Sequence, residues 1–201
     1  MTTTFSSNSS QKAIAVVAPN ENEEAQEKTI SVFLAGSIEM GQARDWQNEM
    51  IGDEAECSLS SLDIAIYSPR RLKFAQLKGE DGFPEAFKEQ LDWEHKHLEG
   101  SSIISMFFWG GWPHEKEIKR LAPVTMLELG EFCHSGRIIV GCEQTYPKRD
   151  NVEYVCKKHG ITIVDTLEEL AVEVRKKVLE LQAIPNVLVW FIHWKTNSAE
   201  G

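Results

Sequence analysis

Residues Ile30–Ala35 read I-S-V-F-L-A, apolar at every position but one, and Gly36-Ser37 ends the run at once. A strand exposed on one face alternates apolar and polar residues. A nearly continuous apolar run belongs to a strand covered on both faces, as in a parallel sheet between two helix layers. Just downstream, Ala43, Trp46 and Met50 recur at helical spacing, so the first unit reads strand, turn, helix. Leu62–Tyr67 forms the next strand and Pro69 stops it; a polar, glycine-containing loop runs to about Gly82, and the helix Phe83–Glu99 carries Phe87, Leu91 and Leu98 on one stripe. Ile103–Trp109 is the third strand, broken by Gly110, Gly111 and Pro113 and followed by a charged loop through Arg120.

The pattern continues to the carboxyl end. Thr125 opens a short helix, Arg137–Gly141 is a strand, Lys148–Lys158 a helix and Ile161–Val164 a strand. Thr166 and Glu169 make a capping box before a helix whose Leu170, Val174, Val178 and Leu181 share a face. Strand and helix alternate five times, which predicts an α/β fold of Rossmann-like layout, a parallel sheet of about five strands with helices on both faces. The chain has 201 residues, enough for one domain with a sizeable core.

That domain is placed at 29–184. Ahead of it, Met1–Gln11 is a Ser/Thr-rich tail expected to be disordered, Ala13–Ala18 a short strand, and Asn20–Lys28 an acidic linker. Behind it, 185–201 is an aromatic tail, with Val187–Trp194 as an edge strand or a surface for another subunit. Acidic residues number 31 against 21 Lys and Arg, a net charge of −10 that repels a phosphate backbone and argues against a nucleic acid polymer as partner. A small anion held by local arginines stays open. Cys57, Cys133, Cys142 and Cys156 form no C-x-x-C pair and lie behind no signal peptide, which predicts reduced thiols in the cytoplasm. Cys156 and His159 have ligand-like spacing without a second pair, and Cys133 beside His134 is adjacency alone, so no metal is expected. The longest apolar run, Val187–Trp194, is too short to cross a bilayer, and no membrane partner is expected.

In an open parallel sheet the ligand binds beyond the carboxyl ends of the strands. Gly36–Gly41, Ser68–Arg71, Gly110–Pro113 and Pro123–Glu128 fall there. Gly36 and Ser37 offer backbone N–H groups to a sugar or phosphate, or form a plain strand-to-helix turn. Glu128 follows Thr125 by three residues: either a carboxylate held as the anion by a helix start, suited to attack an anomeric carbon, or the back-bonded half of a T-x-x-E capping box, which spacing alone favours. Glu94 continues the Phe87, Leu91, Leu98 stripe, with Gln90 one turn earlier. A carboxylate on a buried stripe is either functional or paired to an arginine. Arg70 and Arg71 are candidates to hold Glu94, Glu128 or a phosphate, or are a solvated pair. Trp109 and Trp112 flank Gly-Gly where an indole can stack on a base or cover the core edge.

Five segments in order resemble the nucleoside 2-deoxyribosyltransferase-like family, related to 2′-deoxynucleoside 5′-monophosphate N-glycosidases. They are V-F-L-A-G-S-I (Val32–Ile38) with Trp46-Gln47, Y-S-P-R-R (Tyr67–Arg71), E-Q-L-D-W-E (Glu89–Glu94), P-V-T-M-L-E-L-G (Pro123–Gly130) and R-D-N-V (Arg149–Val152). The resemblance implies a flavodoxin-like or Rossmann-like fold, a nucleoside or nucleotide as small-molecule partner, no cofactor, and a homodimer or larger homo-oligomer. It implies that Glu128 is the nucleophile at C1′, that Glu94 contacts the base or delivers a proton, and that Gly36 and Ser37 surround the sugar or phosphate. Gln90, Arg70, Arg71, Trp109, Trp112 and Thr125 complete the expected substrate contacts. Two departures stand out: Phe33 where many relatives carry tyrosine, and Gly100-Ser101 where they often carry Ala-Asp. The expected activity is transfer or hydrolysis at an N-glycosidic bond. A catalytically weak nucleotide-binding or sensing module, suggested by Phe33, and an assembly protein, suggested by the aromatic tail, are the alternatives.

Overall fold

A computed structural model describes residues 12–38, 43–71, 83–111 and 121–183. Six strands, β1 (Ile14–Val17), β2 (Ser31–Gly36), β3 (Ala65–Ser68), β4 (Ile103–Phe108), β5 (Ile138–Cys142) and β6 (Thr162–Val164), form one sheet in the order β1-β3-β2-β4-β5-β6. Every pairing is parallel. From β3 onward this is the flavodoxin-like order, with β1 added outside β3.

Among the described residues five helices connect the strands, α1 (Glu23–Gln26), α2 (Trp46–Ile51), α3 (Phe83–Gly100), α4 (Pro123–Phe132) and α5 (Arg149–His159), and α6 (Leu167–Gln182) follows β6. Strand alternation sorts the core into two layers. Val32 and Leu34 of β2 and Ile103 and Phe107 of β4 pack with Trp46, Met50, Leu170, Val174 and Val178 of α2 and α6. Phe33, Ala35, Ile104, Met106 and Phe108 face the other way, against Trp93 and Leu98 of α3, Leu129 and Phe132 of α4, and Val152 and Cys156 of α5. Phe33, Trp46, Phe107 and Phe108 are fully buried, each contributing about 2 kcal/mol or more through lost apolar surface.

Three sequence expectations change in the structure. The short strand expected at Ala13–Ala18 is β1, which pairs in register with Ala65–Ser68 and brings the sheet to six strands, but the 20–28 stretch read as linker holds α1, capped by Asn22 and buried through Ala25. The buried stripe of α3 is Gln90, Trp93, His97 and Leu98, while Phe87 and Leu91 are 45% and 44% exposed. Trp93 decides that rotation: its indole packs near Phe33 and Tyr67 and donates to the Asn20 carbonyl at 2.8 Å. Finally, Thr125 does not open α4. Pro123 is its first residue and Ala122, with φ 45° and ψ 54°, its cap. The tail 1–11, the loop around 72–82, Trp112 with the charged loop to Arg120, and the Val187–Trp194 segment lie outside the described residues.

Candidate active site

The chain leaves β2 toward the α2 layer and β4 toward the α4 layer, so the crevice in which an open parallel sheet takes its ligand falls between the carboxyl ends of these neighbouring strands. Gly36 sits at its floor with φ +150°, and a Cβ there would collide with the Phe107 carbonyl and stand 2.7 Å from the Trp46 ring. Only glycine fits that conformation and that approach. Ser37 ties the two loops together. Its N–H donates to the Phe107 carbonyl at 3.0 Å, its hydroxyl accepts from the Trp109 N–H at 3.2 Å, and its carbonyl accepts from Trp46 Nε1 at 3.1 Å. Ser37 is 2% exposed, a clasp across the crevice base.

Two carboxyl groups come from the α3–α4 layer. Gln90 Nε2 donates to both the Pro69 carbonyl, at 2.8 Å, and Glu94 Oε1, at 2.7 Å. This shared donor fixes the Glu94 carboxyl beside the residue that follows β3, at the carboxyl end of the sheet. Burial raises the Glu94 pKa, partly offset by that hydrogen bond. Glu128, on α4, makes no hydrogen bond or ion pair with the described residues, and it does not fold back on its own helix start. Its pKa is pushed up to about 8 by burial, then by the nearby charge of Glu94 and that of Glu131.

The expectation that a helix start holds Glu128 as the anion therefore meets a different setting. Glu128 is the sixth residue of α4, beyond the first turn where free N–H groups and the helix dipole act. Thr125, its supposed cap, is instead 3% exposed in the second half of the first turn.

Both arginines have partners among the described residues. Arg70 reaches back across the sheet to the segment before α2, donating to the Ala43 carbonyl at 2.9 Å, the Arg44 carbonyl at 3.1 Å and Gln47 Oε1 at 3.3 Å, and pairing with Asp45 at 3.1 Å. Arg71 pairs with Glu89 at 2.8 Å and donates to the Ala86 carbonyl. Each thus braces a wall of the crevice: Arg70 the α2 side, Arg71 the start of α3. Trp109 packs against the α2–α6 core, the layer opposite Glu94 and Glu128, and its indole lies along the Gly111 backbone.

Asp45, Gln47 and Glu143 form part of this framework and were not singled out as site residues from the sequence. Gln47 is fully buried and its Nε2 has no partner among the described residues. Glu143 Oε2 accepts from the Gly110 N–H at 2.8 Å and so shapes the loop after β4. Its signal was weak, a lone acid 33 residues from its partner. Elsewhere, Cys133, His134 and His159 converge near the amino end of the sheet, with potential ligand atoms within 4.8 Å of one another.

Among the described residues no helix is long and apolar enough to cross a membrane. A search of curated proteins finds no match to the chain. The family model described as nucleoside 2-deoxyribosyltransferase like matches residues 29–146, more than half of the chain and every element from β2 to β5. The region holds Gly36, Ser37, Gln90, Glu94 and Glu128, so the carboxyl pair and the crevice floor lie within the match. With this match on a flavodoxin-like sheet, the chain belongs to the nucleoside 2-deoxyribosyltransferase-like family.

Proposed function

We propose that this protein breaks the N-glycosidic bond of a 2-deoxynucleoside or its 5′-monophosphate and passes the sugar to a second base or to water. One observation carries the reading: α3 and α4 bring Glu94 and Glu128 together, both largely buried, at the carboxyl end of the sheet. Two neighbouring buried carboxyls do not ionise together readily, and the Glu94 charge is one cause of the raised Glu128 pKa. One anion and one acid is the state that glycosyl transfer requires.

The resting proton of the pair sits on Glu128, whose pKa is about 8; passing it to Glu94 gives the reactive form, in which the Glu128 carboxylate attacks C1′ while the C1′–N bond breaks. The leaving base keeps the bonding electron pair and takes a proton from Glu94. A deoxyribosyl ester of Glu128 results. The incoming base nitrogen or water then gives its proton to Glu94 and attacks C1′, restoring the Glu128 carboxylate with overall retention. A carboxylate of raised pKa is more nucleophilic once ionised, and the oxocarbenium-like transition state gains from an anion beneath it. Ser37 and Gly36 hold the crevice floor. Gln90 orients Glu94.

The test is direct. The full chain is incubated with the 2-deoxynucleosides and their 5′-monophosphates, with and without adenine, and free or exchanged base is followed by chromatography. Base release, a deoxyribosyl adduct in the intact mass, and loss of both in Glu128→Gln are expected. No release by wild type, or full activity in Glu128→Gln, overturns the proposal. A second reading has its own observation. Phe33, fully buried and 6.2 Å from the Trp93 ring, supplies no hydroxyl to orient Glu128. A weakly active nucleotide-binding module would raise its melting temperature with ligand while releasing no base.

A further inference from the structure

Far from the crevice, α4 and α5 end side by side at the amino edge of the sheet. Cys133 follows the last residue of α4, His134 comes next in the turn toward β5, and His159 is the last residue of α5 before the left-handed Gly160. The Cys133 Sγ and one ring nitrogen from each histidine lie within 4.8 Å of one another, with the two imidazoles crossed edge-on at 4.4 Å between centroids. Cys133 is 7% exposed, His134 is exposed and His159 half-buried, so the group has a closed sulfur side and an open nitrogen side.

We propose that Cys133, His134 and His159 bind one zinc ion, with water in the fourth position. One thiolate and two imidazoles are the donor set that a borderline-soft d¹⁰ ion prefers over hard cations, which seek oxygen. Ligand atoms around tetrahedral zinc stand about 3.3–3.6 Å apart. Closing from the present spacing takes about an ångström, within reach of side-chain rotation at the exposed His134 and at His159. Two helix carboxyl ends, each carrying partial negative charge, converge on the place and favour a cation. The neighbouring Lys157 and Lys158 oppose one, which selects for an ion held by covalent bonds to sulfur and nitrogen over one held by charge alone. On binding, the Cys133 thiol, now donating to the Gly130 carbonyl at 3.1 Å, releases its proton to solvent and its sulfur bonds to the metal. The ion would clip the end of α4, the helix that carries Glu128, to the end of α5.

The full-length protein, stripped with a chelator, is titrated with cobalt(II) and then with zinc. A thiolate-to-cobalt charge-transfer band and tetrahedral visible bands, saturating at one ion per chain and displaced by zinc, are expected, together with a zinc-dependent rise in melting temperature. Cys133→Ser should abolish the charge-transfer band, and His159→Gln should weaken zinc binding at least about tenfold. His134→Gln, at an exposed position that leaves packing untouched, should weaken it likewise. Cys57→Ser, in the opposite core layer, should change nothing. Absence of the band in wild type, its survival in Cys133→Ser, or unchanged affinity in both histidine variants overturns the site.

Discussion

Two helices carry the same T-x-x-E pattern at or near their start, Thr125–Glu128 on α4 and Thr166–Glu169 on α6, and the structure puts it to opposite uses. On α6 Thr166 is the cap in extended backbone; its hydroxyl accepts from the Glu169 N–H at 3.1 Å, and Glu169 Oε2 accepts from the Thr166 N–H at 3.2 Å. On α4 the chain turns through a left-handed Ala122 into Pro123, whose fixed φ and missing N–H suit the first helical position. The helix has therefore begun before Thr125, and Glu128 stands too deep to bond back. One glutamate closes a cap. The other has no hydrogen bond or ion pair among the described residues, is largely buried and has its pKa raised. The pattern specifies a cap only where the backbone ahead of the threonine is extended. Where a proline has already started the helix, the same residues are left without the reciprocal cap.

Breaking that contrast at the glutamates should give the largest effect. Glu128→Gln should lower base release on the order of 10³-fold or more in single-turnover assays, as expected for a lost nucleophile. Glu169→Gln keeps a capping oxygen and should leave the rate within about twofold, since glutamine serves in a capping box.

Stability should follow pH through the same residue. Folded Glu128 keeps its proton to about pH 8, against an ordinary value of 4.5. Between these values the folded state binds the extra proton, so stability falls as pH rises through the window and is complete below it. Melting curves from pH 4.5 to 8 should show Glu128→Gln gaining on wild type as pH increases. An equal pH slope in both proteins would remove Glu128 from that account. A smaller effect tests the neighbour: Glu94→Gln removes one of the charges that raise Glu128, after burial the foremost. The pH at which Glu128 ionises should move down, read as a lower-pH shift of the window over which the melting temperature falls, since the variant also lacks the proposed proton donor and its base release cannot report it.

The sheet was legible because parallel strands announce themselves by composition, and β2 and β4 appear within a residue or two of their apolar runs. The face of α3 was not, because its buried stripe contains Gln90 and His97. Gln90 is accommodated by its bond to Pro69, and His97 by stacking on Tyr67 at 3.9 Å, neither of which hydropathy registers. Glu94 was singled out by a stripe whose Phe87 and Leu91 the structure leaves exposed, and Gln90, noted only as its neighbour one turn earlier, is its hydrogen-bond partner. The partners Arg70 has among residues 43–47 lie more than 20 positions away, beyond what spacing registers. The layer of Trp109 follows from the alternation of β4, in which 104, 106 and 108 face α3–α4 and 109 must face away. The Cys133, His134 and His159 group was invisible to spacing, since two helix ends bring it together.

The smallest expected effect separates cap from chemistry at the threonines. Thr166→Ala removes the oxygen that accepts the Glu169 N–H, and loss of such a cap costs about 1 kcal/mol. In a chain of this size that lowers the melting temperature by roughly 2–4 °C. Thr125 caps nothing, so Thr125→Val, which keeps its branched shape in the packed first turn of α4, should change stability by less than about 0.5 kcal/mol. Equal losses at the two sites would mean that α4 draws a cap from Thr125 in solution. Its start would then lie nearer Thr125, Glu128 would fall within bonding reach of the cap, and the availability of its carboxyl would have to be argued afresh.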